Sequence, residues 1–332
     1  MREPAFWWRN AGLAAALLNP LGQAYGAFAG HRMTKTGARA GIPVLCVGNF
    51  TTGGAGKTPA AIVLAQMLAD AGERQFFLSR GYGGDLPGPK LVDATNDLAA
   101  RVGDEPLLLA RVAPTIVARD RVAGAAVART HGASVIVMDD GLQNPSLAKD
   151  LRLAVIDARR GVGNGRIFPA GPLRARLATQ LACTDALLVV GDGAGADDVV
   201  AQARNQGVQI LHGRLIPDPA AAAALKGRQV LAFAGIGDPE KFFATAVAAG
   251  VVVKERRLFP DHHRYTAEDA GALVMQADHS GLALLTTEKD LARMAHEESL
   301  APLAARIHTL PVTMVVEQAD ELRWLARSRL RN

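Results

Sequence analysis

From residue 43 onward, short apolar runs alternate with stretches of helical spacing. Residues 44–47 (VLCV) read as a β run, residues 48–56 as a glycine-rich loop and residues 58–69 as a helix, so the first unit is strand, loop, helix. Further β runs stand at 75–78, 115–118, 135–138, 153–156 and 186–190, separated by helical patterns. Alternation of this kind predicts a parallel sheet covered by helices on both faces, an α/β/α domain over residues 31–206. A second set starts at 229–234, continues at 251–255 and 283–286, and ends near 311–316 before a final helix, which predicts a smaller α/β domain over residues 227–332. Between them, the prolines Pro217 and Pro219 and the alanine run that ends at Ala224 predict a linker over residues 207–226.

Residues 1–30 have a different pattern. Phe6, Trp7, Trp8 and Arg9 lead into an apolar run at 11–18 that is expected to break at Asn19-Pro20, and Tyr25 and Phe28 follow. That run is too short to span hydrocarbon, and no small-residue cleavage site follows it as a signal peptide requires, so no transmembrane helix is expected. Two readings stay open: a helix packed on the domain, or an interfacial segment whose indole rings sit among lipid headgroups.

The chain of 332 residues is longer than one hydrophobic core usually extends, which supports two domains. Its 49% hydrophobic and 21% charged residues exclude disordered and disulfide-rich classes. A formal charge of +5 suits an anionic partner without naming one. Nucleic acid is not expected, because no compact lysine and arginine cluster interleaved with aromatics occurs, and no protein partner is evident. Cys46 and Cys183, far apart in apolar surroundings, read as buried thiols of a reducing compartment.

Candidate chemistry begins at the first loop. Thr51, Thr52, Gly53, Gly54, Ala55, Gly56, Lys57 and Thr58 match a phosphate-binding loop (Walker A) except that Thr51 stands where glycine is expected. A strand leads in and a helix leads out, so backbone N–H groups and the helix N-terminus converge on nucleotide phosphates. Lys57 would reach the β and γ phosphates of ATP, and the Thr58 hydroxyl would ligate Mg²⁺. The metal needs acidic ligands, which Asp139 and Asp140 supply at the carboxyl end of the β run 135–138; a helix cap by Asp140 is the plainer alternative. No Asn-Lys-x-Asp base-recognition motif occurs, so a GTPase switch is disfavoured.

A kinase also needs a group that orients or deprotonates the acceptor hydroxyl. Two segments offer one. In Gly103-Asp104-Glu105-Pro106 the acids are expected in the loop before a helix that Pro106 begins, which is also how a plain helix start reads. In Phe259-Pro260-Asp261-His262-His263 a histidine pair has an adjacent acid, and no third ligand at metal-site spacing argues for zinc. On the residues alone, a kinase of a soluble sugar or cofactor and a membrane-recruited ATPase switch both remain open.

Taken together, residues 43–59 (PVLCVGNFTTGGAGKTP), 79–83 (SRGYG), 103–106 (GDEP), 139–143 (DDGLQ), 169–174 (PAGPLR), 259–263 (FPDHH) and 287–290 (TEKD) resemble the tetraacyldisaccharide 4'-kinase family of lipid A biosynthesis across nearly the whole chain. The family's loop has threonine for glycine at its first position, as Thr51 does here. The resemblance implies a P-loop α/β/α domain plus a second, smaller α/β domain with the site in the cleft between them. It implies ATP and Mg²⁺ as cofactors and transfer of the γ-phosphate to the 4'-hydroxyl of a tetraacylated disaccharide 1-phosphate. It further implies Asp104 as base with His262 as partner, preferred to His263, and Asp261 beside it; Asp139 and Asp140 serving Mg²⁺, with Glu105 nearby; and Tyr82, Arg174, Gln143 and Asn49 toward the substrate. Ala175 stands where the family usually has an acid. An acylated substrate stays in the membrane, so a peripheral enzyme at the cytoplasmic face of the inner membrane, docked on its lipid surface, is implied.

Overall fold

The computed structural model describes residues 3–9, 11–295 and 297–330. Thirteen strands are present among them: β1 (Val44–Asn49), β2 (Gln75–Ser79), β3 (Lys90–Leu91), β4 (Thr115–Val117), β5 (Val135–Asp139), β6 (Leu151–Asp157), β7 (Ala186–Val190), β8 (Gln209–Pro217), β9 (Gln229–Ala234), β10 (Val252–Leu258), β11 (Ala283–Thr286), β12 (Ile307–Thr309) and β13 (Val312–Val316). They form a nine-stranded sheet in the order β13-β8-β7-β6-β1-β5-β2-β4-β3 and a four-stranded sheet in the order β10-β9-β11-β12. In the large sheet the seven strands from β8 to β4 run parallel, and the two edges, β13 and β3, are antiparallel. The small sheet is parallel throughout.

Side chains that alternate along each central strand sort onto two faces. Leu45, Val47, Val135, Val137, Leu153 and Val155 pack beneath the helix Lys57–Asp70. On the other face, Val44, Cys46, Ile136 and Met138 pack with Ala125 and Ala128 of the helix Arg121–Thr130. Each such fully buried aliphatic side chain contributes about 1.5–3 kcal/mol relative to exposure. Burial pushes the Cys46 thiol up to about 11, so it is an inert core group, whereas Cys183 is only half-buried. In the small sheet, Leu231 and Phe233 of β9 face the helix Ala267–Ser280, while Val230, Ala232 and Ala234 face Phe242 and Phe243 of the helix Pro239–Ala248.

Two expectations about organisation change. The segment expected as a linker contains β8, paired in register with β7. The strand expected to close the small sheet is β13, and it pairs antiparallel with β8 at the edge of the large sheet. Met314 and Val316 alternate with exposed Val315, so β13 has one apolar face, which completes the core beneath Lys57–Asp70. The last helix, Ala319–Ser328, follows it there and packs Leu322 and Ala326 into the same cluster.

The N-terminal helix runs unbroken over Leu13–Met33, through Pro20. Proline removes one ladder hydrogen bond, but Ala16 and Pro20 are both exposed, so water can hydrate the freed carbonyl. Gly22, Gly26 and Gly30 recur every fourth residue and form the buried face. A Cβ on Gly22 would come within 2.7 Å of the Ile167 carbonyl oxygen, so the small residues are what lets the helix backbone lie on the 167–170 segment. The opposite face exposes Leu13, Leu17, Leu21 and Phe28 by 62–78%. Trp7 and Trp8 are not part of it. Trp7 is buried, with its indole N–H donating to the Pro169 carbonyl at 3.0 Å, and Trp8 lies beneath the Arg160 guanidinium.

Candidate active site

β1 ends at Asn49, and the loop that follows delivers the chain to the N-terminus of Lys57–Asp70. Gly53 (φ 101°) and Gly56 (φ 91°) occupy left-handed backbone that a side chain would strain. Thr51 has no such requirement, which is why threonine serves at the loop's first position. The loop is braced from outside by the 169–174 segment. Thr52 N–H donates to the Pro172 carbonyl at 2.8 Å, Thr51 bridges Leu173, and Arg174 Nε donates to the Thr51 carbonyl at 2.9 Å. Lys57 folds back over the loop, its Nζ 3.2 Å from the Gly53 carbonyl and 4.0 Å from Asp140 Oδ1.

At the end of β5 the two aspartates take different roles. Asp140 (φ 48°) forms a bidentate pair with Arg174, with both contacts at 3.0 Å. Burial opposes its ionisation, yet Arg174 and Lys57 outweigh burial and hold it well below the usual carboxylate range. Asp139 is buried, and neither carboxylate oxygen has a hydrogen-bond partner among the described residues. Burial, then the charges of Glu105 and Asp140, push it up to about 7. An orphaned buried carboxylate next to a phosphate loop and the buried Thr58 fits a Mg²⁺ that takes its remaining ligands from phosphate and water. Among the described residues no three His, Cys, Asp or Glu side chains converge as a protein-only cage.

Asp104 and Glu105 stand in the first turn of the helix Asp104–Ala110 rather than in the loop before it. Asp104 is buried. Its Oδ1 lies 3.5 Å from His262 Nδ1, and its Oδ2 accepts from Arg293 Nε at 2.9 Å. Burial is outweighed by the His262 hydrogen bond and the Arg293 and Lys289 charges, which hold the carboxyl well below its usual range. His262 adopts φ 56°, rare for a residue with a side chain, and its Nε2 is 3.8 Å from Asp261 Oδ2. Burial lowers its pKa, but the Asp104 hydrogen bond and the charges of Asp104 and Asp261 win and raise it. His263 instead bonds Asp269 at 3.0 Å and stacks on Phe259, as part of the second sheet's frame. Tyr82, 62% exposed, sits edge-on to His262 with ring centroids 4.8 Å apart.

Several expected site residues have other tasks here. Arg174 spends its guanidinium on Thr51, Asp140 and Gln143, and Gln143 donates to the Asn49 carbonyl at 2.7 Å and to Gln180 at 2.9 Å. Asn49 donates to the Gly53 carbonyl at 3.1 Å and keeps a buried, unpartnered Oδ1. These three frame the phosphate loop: Arg174 ties it to Asp140 and Gln143, Gln143 to Gln180, and Asn49 closes on Gly53. Glu105, expected near the metal, is paired with Lys289 Nζ at 2.5 Å. Lys289 and Arg293, both on the helix Glu288–Met294, received no role from the sequence. Lys289 lies in the TEKD segment, but nothing in the sequence connects Arg293 with an acid 189 positions earlier.

The family model of tetraacyldisaccharide-1-P 4'-kinase (LpxK) matches residues 14–330. The chain belongs to that family. It is 56% identical over 330 residues, 99% of this chain and 97% of the relative, to a tetraacyldisaccharide 4'-kinase of Rhodopseudomonas palustris (strain BisB5). It is 54% identical over 97% of its length, and 96% of the relative's, to one from Nitrobacter winogradskyi. A crystal structure of LpxK from Aquifex aeolicus in complex with ATP superposes with a TM-score of 0.72 at 25% identity, covering 96% of this chain and 100% of that one. This likeness extends the kinase assignment to the fold, a large mostly parallel sheet joined to a smaller one.

Proposed function

We propose that the protein phosphorylates the 4'-hydroxyl of a tetraacylated disaccharide 1-phosphate with the γ-phosphate of ATP, giving a lipid IVA-type product, and that Asp104 accepts the hydroxyl proton. One arrangement carries this reading: the buried Asp104–His262 pair shares a charge cluster with the orphaned Asp139 and the loop lysine Lys57. Thr58 and Asp139 are the residues that would hold Mg²⁺, which would supply positive charge to offset the charge of the phosphates. The other contributions come from the chain itself. Lys57, the loop N–H groups and the helix N-terminus place positive charge where phosphate charge develops. Asp104 Oδ1 takes the acceptor's proton, and His262, held between Asp104 and Asp261, steadies the developing charge. Tyr82, exposed and edge-on to His262, is the remaining candidate to meet the sugar.

Membrane docking is part of the same proposal. Among the described residues no helix is long and apolar enough to cross a membrane. The exposed stripe of Leu13, Leu17, Leu21 and Phe28, followed by the exposed cations Arg32, Lys35 and Arg39, supports an interfacial helix that brings the cleft to an acylated substrate at the cytoplasmic face of the inner membrane. Kinase and ATPase-switch readings separate on ATP turnover. Turnover is expected to be slow until the acylated disaccharide is supplied in mixed micelles; full ATP hydrolysis without acceptor contradicts the kinase reading.

A further inference from the structure

The helix Glu288–Met294 belongs to the small-sheet side of the molecule and packs on the helix Asp104–Ala110 of the large-sheet side. Lys289 and Arg293 are four residues apart, hence on one helical face, and they meet the adjacent acids Glu105 and Asp104 in the partner helix's first turn. Arg293 is fixed before it reaches Asp104. Its Nη1 donates to the Gly235 carbonyl at 2.6 Å and to Asp290 Oδ1 at 2.8 Å. Asp290, fully buried, is held in turn by Gly235 N–H at 3.0 Å, Tyr265 Oη at 2.9 Å and Thr287 Oγ1 at 2.7 Å. The two remaining donors, Nε and Nη2, both go to Asp104 Oδ2. Both guanidinium donors thus hold Oδ2, and the carboxylate plane is set so that Oδ1 points to the Glu105 N–H and to His262.

We propose that Arg293 is a positioning residue for the phosphoryl transfer: it aims Asp104 Oδ1 at the acceptor hydroxyl, while Lys289 offsets the charge of Glu105 beside it. The inference rests on the reading of Asp104 as the base. A buried ion pair adds little net stability over an apolar pair of the same volume, so orientation is the better account of a guanidinium anchored at three points. The low basicity of a carboxylate beside arginine is no obstacle. In a loose transition state the acceptor hydroxyl becomes acidic only as its oxygen bonds to phosphorus, so placement of the base outweighs its strength.

The test is a double-mutant cycle of Arg293→Met and Asp104→Asn, read as kcat and ATP KM with thermal unfolding alongside. In the wild-type background Arg293→Met is expected to lower kcat about 100-fold and to leave the ATP KM nearly unchanged. In the Asp104→Asn background the same change is expected to alter kcat by less than about 2-fold. Equal losses in both backgrounds, or none in either, overturn the positioning role. An Asp104→Asn variant with unimpaired kcat refutes the base reading itself and is thereby distinguished from failure of the positioning role. If Arg293→Met does not fold, Arg293→Lys replaces it in the cycle: lysine keeps the charge but loses the fork, and the same background-dependent loss in kcat is expected.

Discussion

Asp139 shows how a functional residue costs stability. Its carboxyl binds a proton more tightly in the folded protein, with a pKa raised from 3.8 to about 7. The sign follows: between these values the folded state holds more protons than the unfolded one, so the Asp139 contribution to stability weakens as pH rises through that window. The nucleotide-free Asp139→Asn variant is therefore expected to unfold a few degrees higher than wild type at pH 8, to match it near pH 4, and to have lost transferase activity. Calorimetry at the two pH values checks this, and a lower midpoint at pH 8 contradicts it. At this scale much was legible in the sequence. The glycine loop and the strand end mark Lys57, Thr58 and Asp139 in the sequence, and the family resemblance marks Asp104 and His262; the structure brings Asp104 and His262 together. The substrate role of Arg174, Gln143 and Asn49 comes with the family resemblance; the carbonyls that their side chains meet beside the loop are not legible in the sequence.

Among the elements, the N-terminal helix bears out the packed-helix reading. Its glycine face packs on the 167–170 segment and its leucine face is exposed, while Trp7, which the interfacial reading places among headgroups, is buried. Proline at position 20 predicts a break, and the helix continues because that turn faces solvent. The variant Leu13→Ser, Leu17→Ser, Leu21→Ser, Phe28→Ser tests the stripe by flotation with anionic phospholipid vesicles. Each exposed side chain that would enter the interface is worth about 1.5–3 kcal/mol at full burial, so vesicle binding is expected to be lost while the unfolding midpoint stays close to wild type. Retained binding would remove the helix from the docking surface. The pattern for β13 was legible as a strand, but its sheet was not. Pairing with β8 spans roughly a hundred residues and is decided by which edge is open and which face needs Met314 and Val316.

For the molecule as a whole, ion pairs join the two sheets. Lys241 reaches Asp157 at 2.6 Å, Arg160 reaches Asp238 at 2.9 Å, and Lys289 and Arg293 hold Glu105 and Asp104. The phosphate loop and Asp139 thus come from one sheet, while His262 and the cations that set Asp104 come from the other, so the site exists only where the two meet. That the sheets form one catalytic unit was suggested by motifs spread over the whole chain; the particular ion pairs were not, since each links residues tens to nearly two hundred positions apart. The most direct measurement is transfer of labelled γ-phosphate from Mg-ATP to tetraacyldisaccharide 1-phosphate in mixed micelles, with Lys57→Ala beside the wild type. A labelled lipid product from the wild type, reduced by about two to three orders of magnitude in the variant, is the expected result. ATP consumed with no labelled lipid would contradict the assignment of this lipid as acceptor, and equal product from both proteins would contradict the role of the loop.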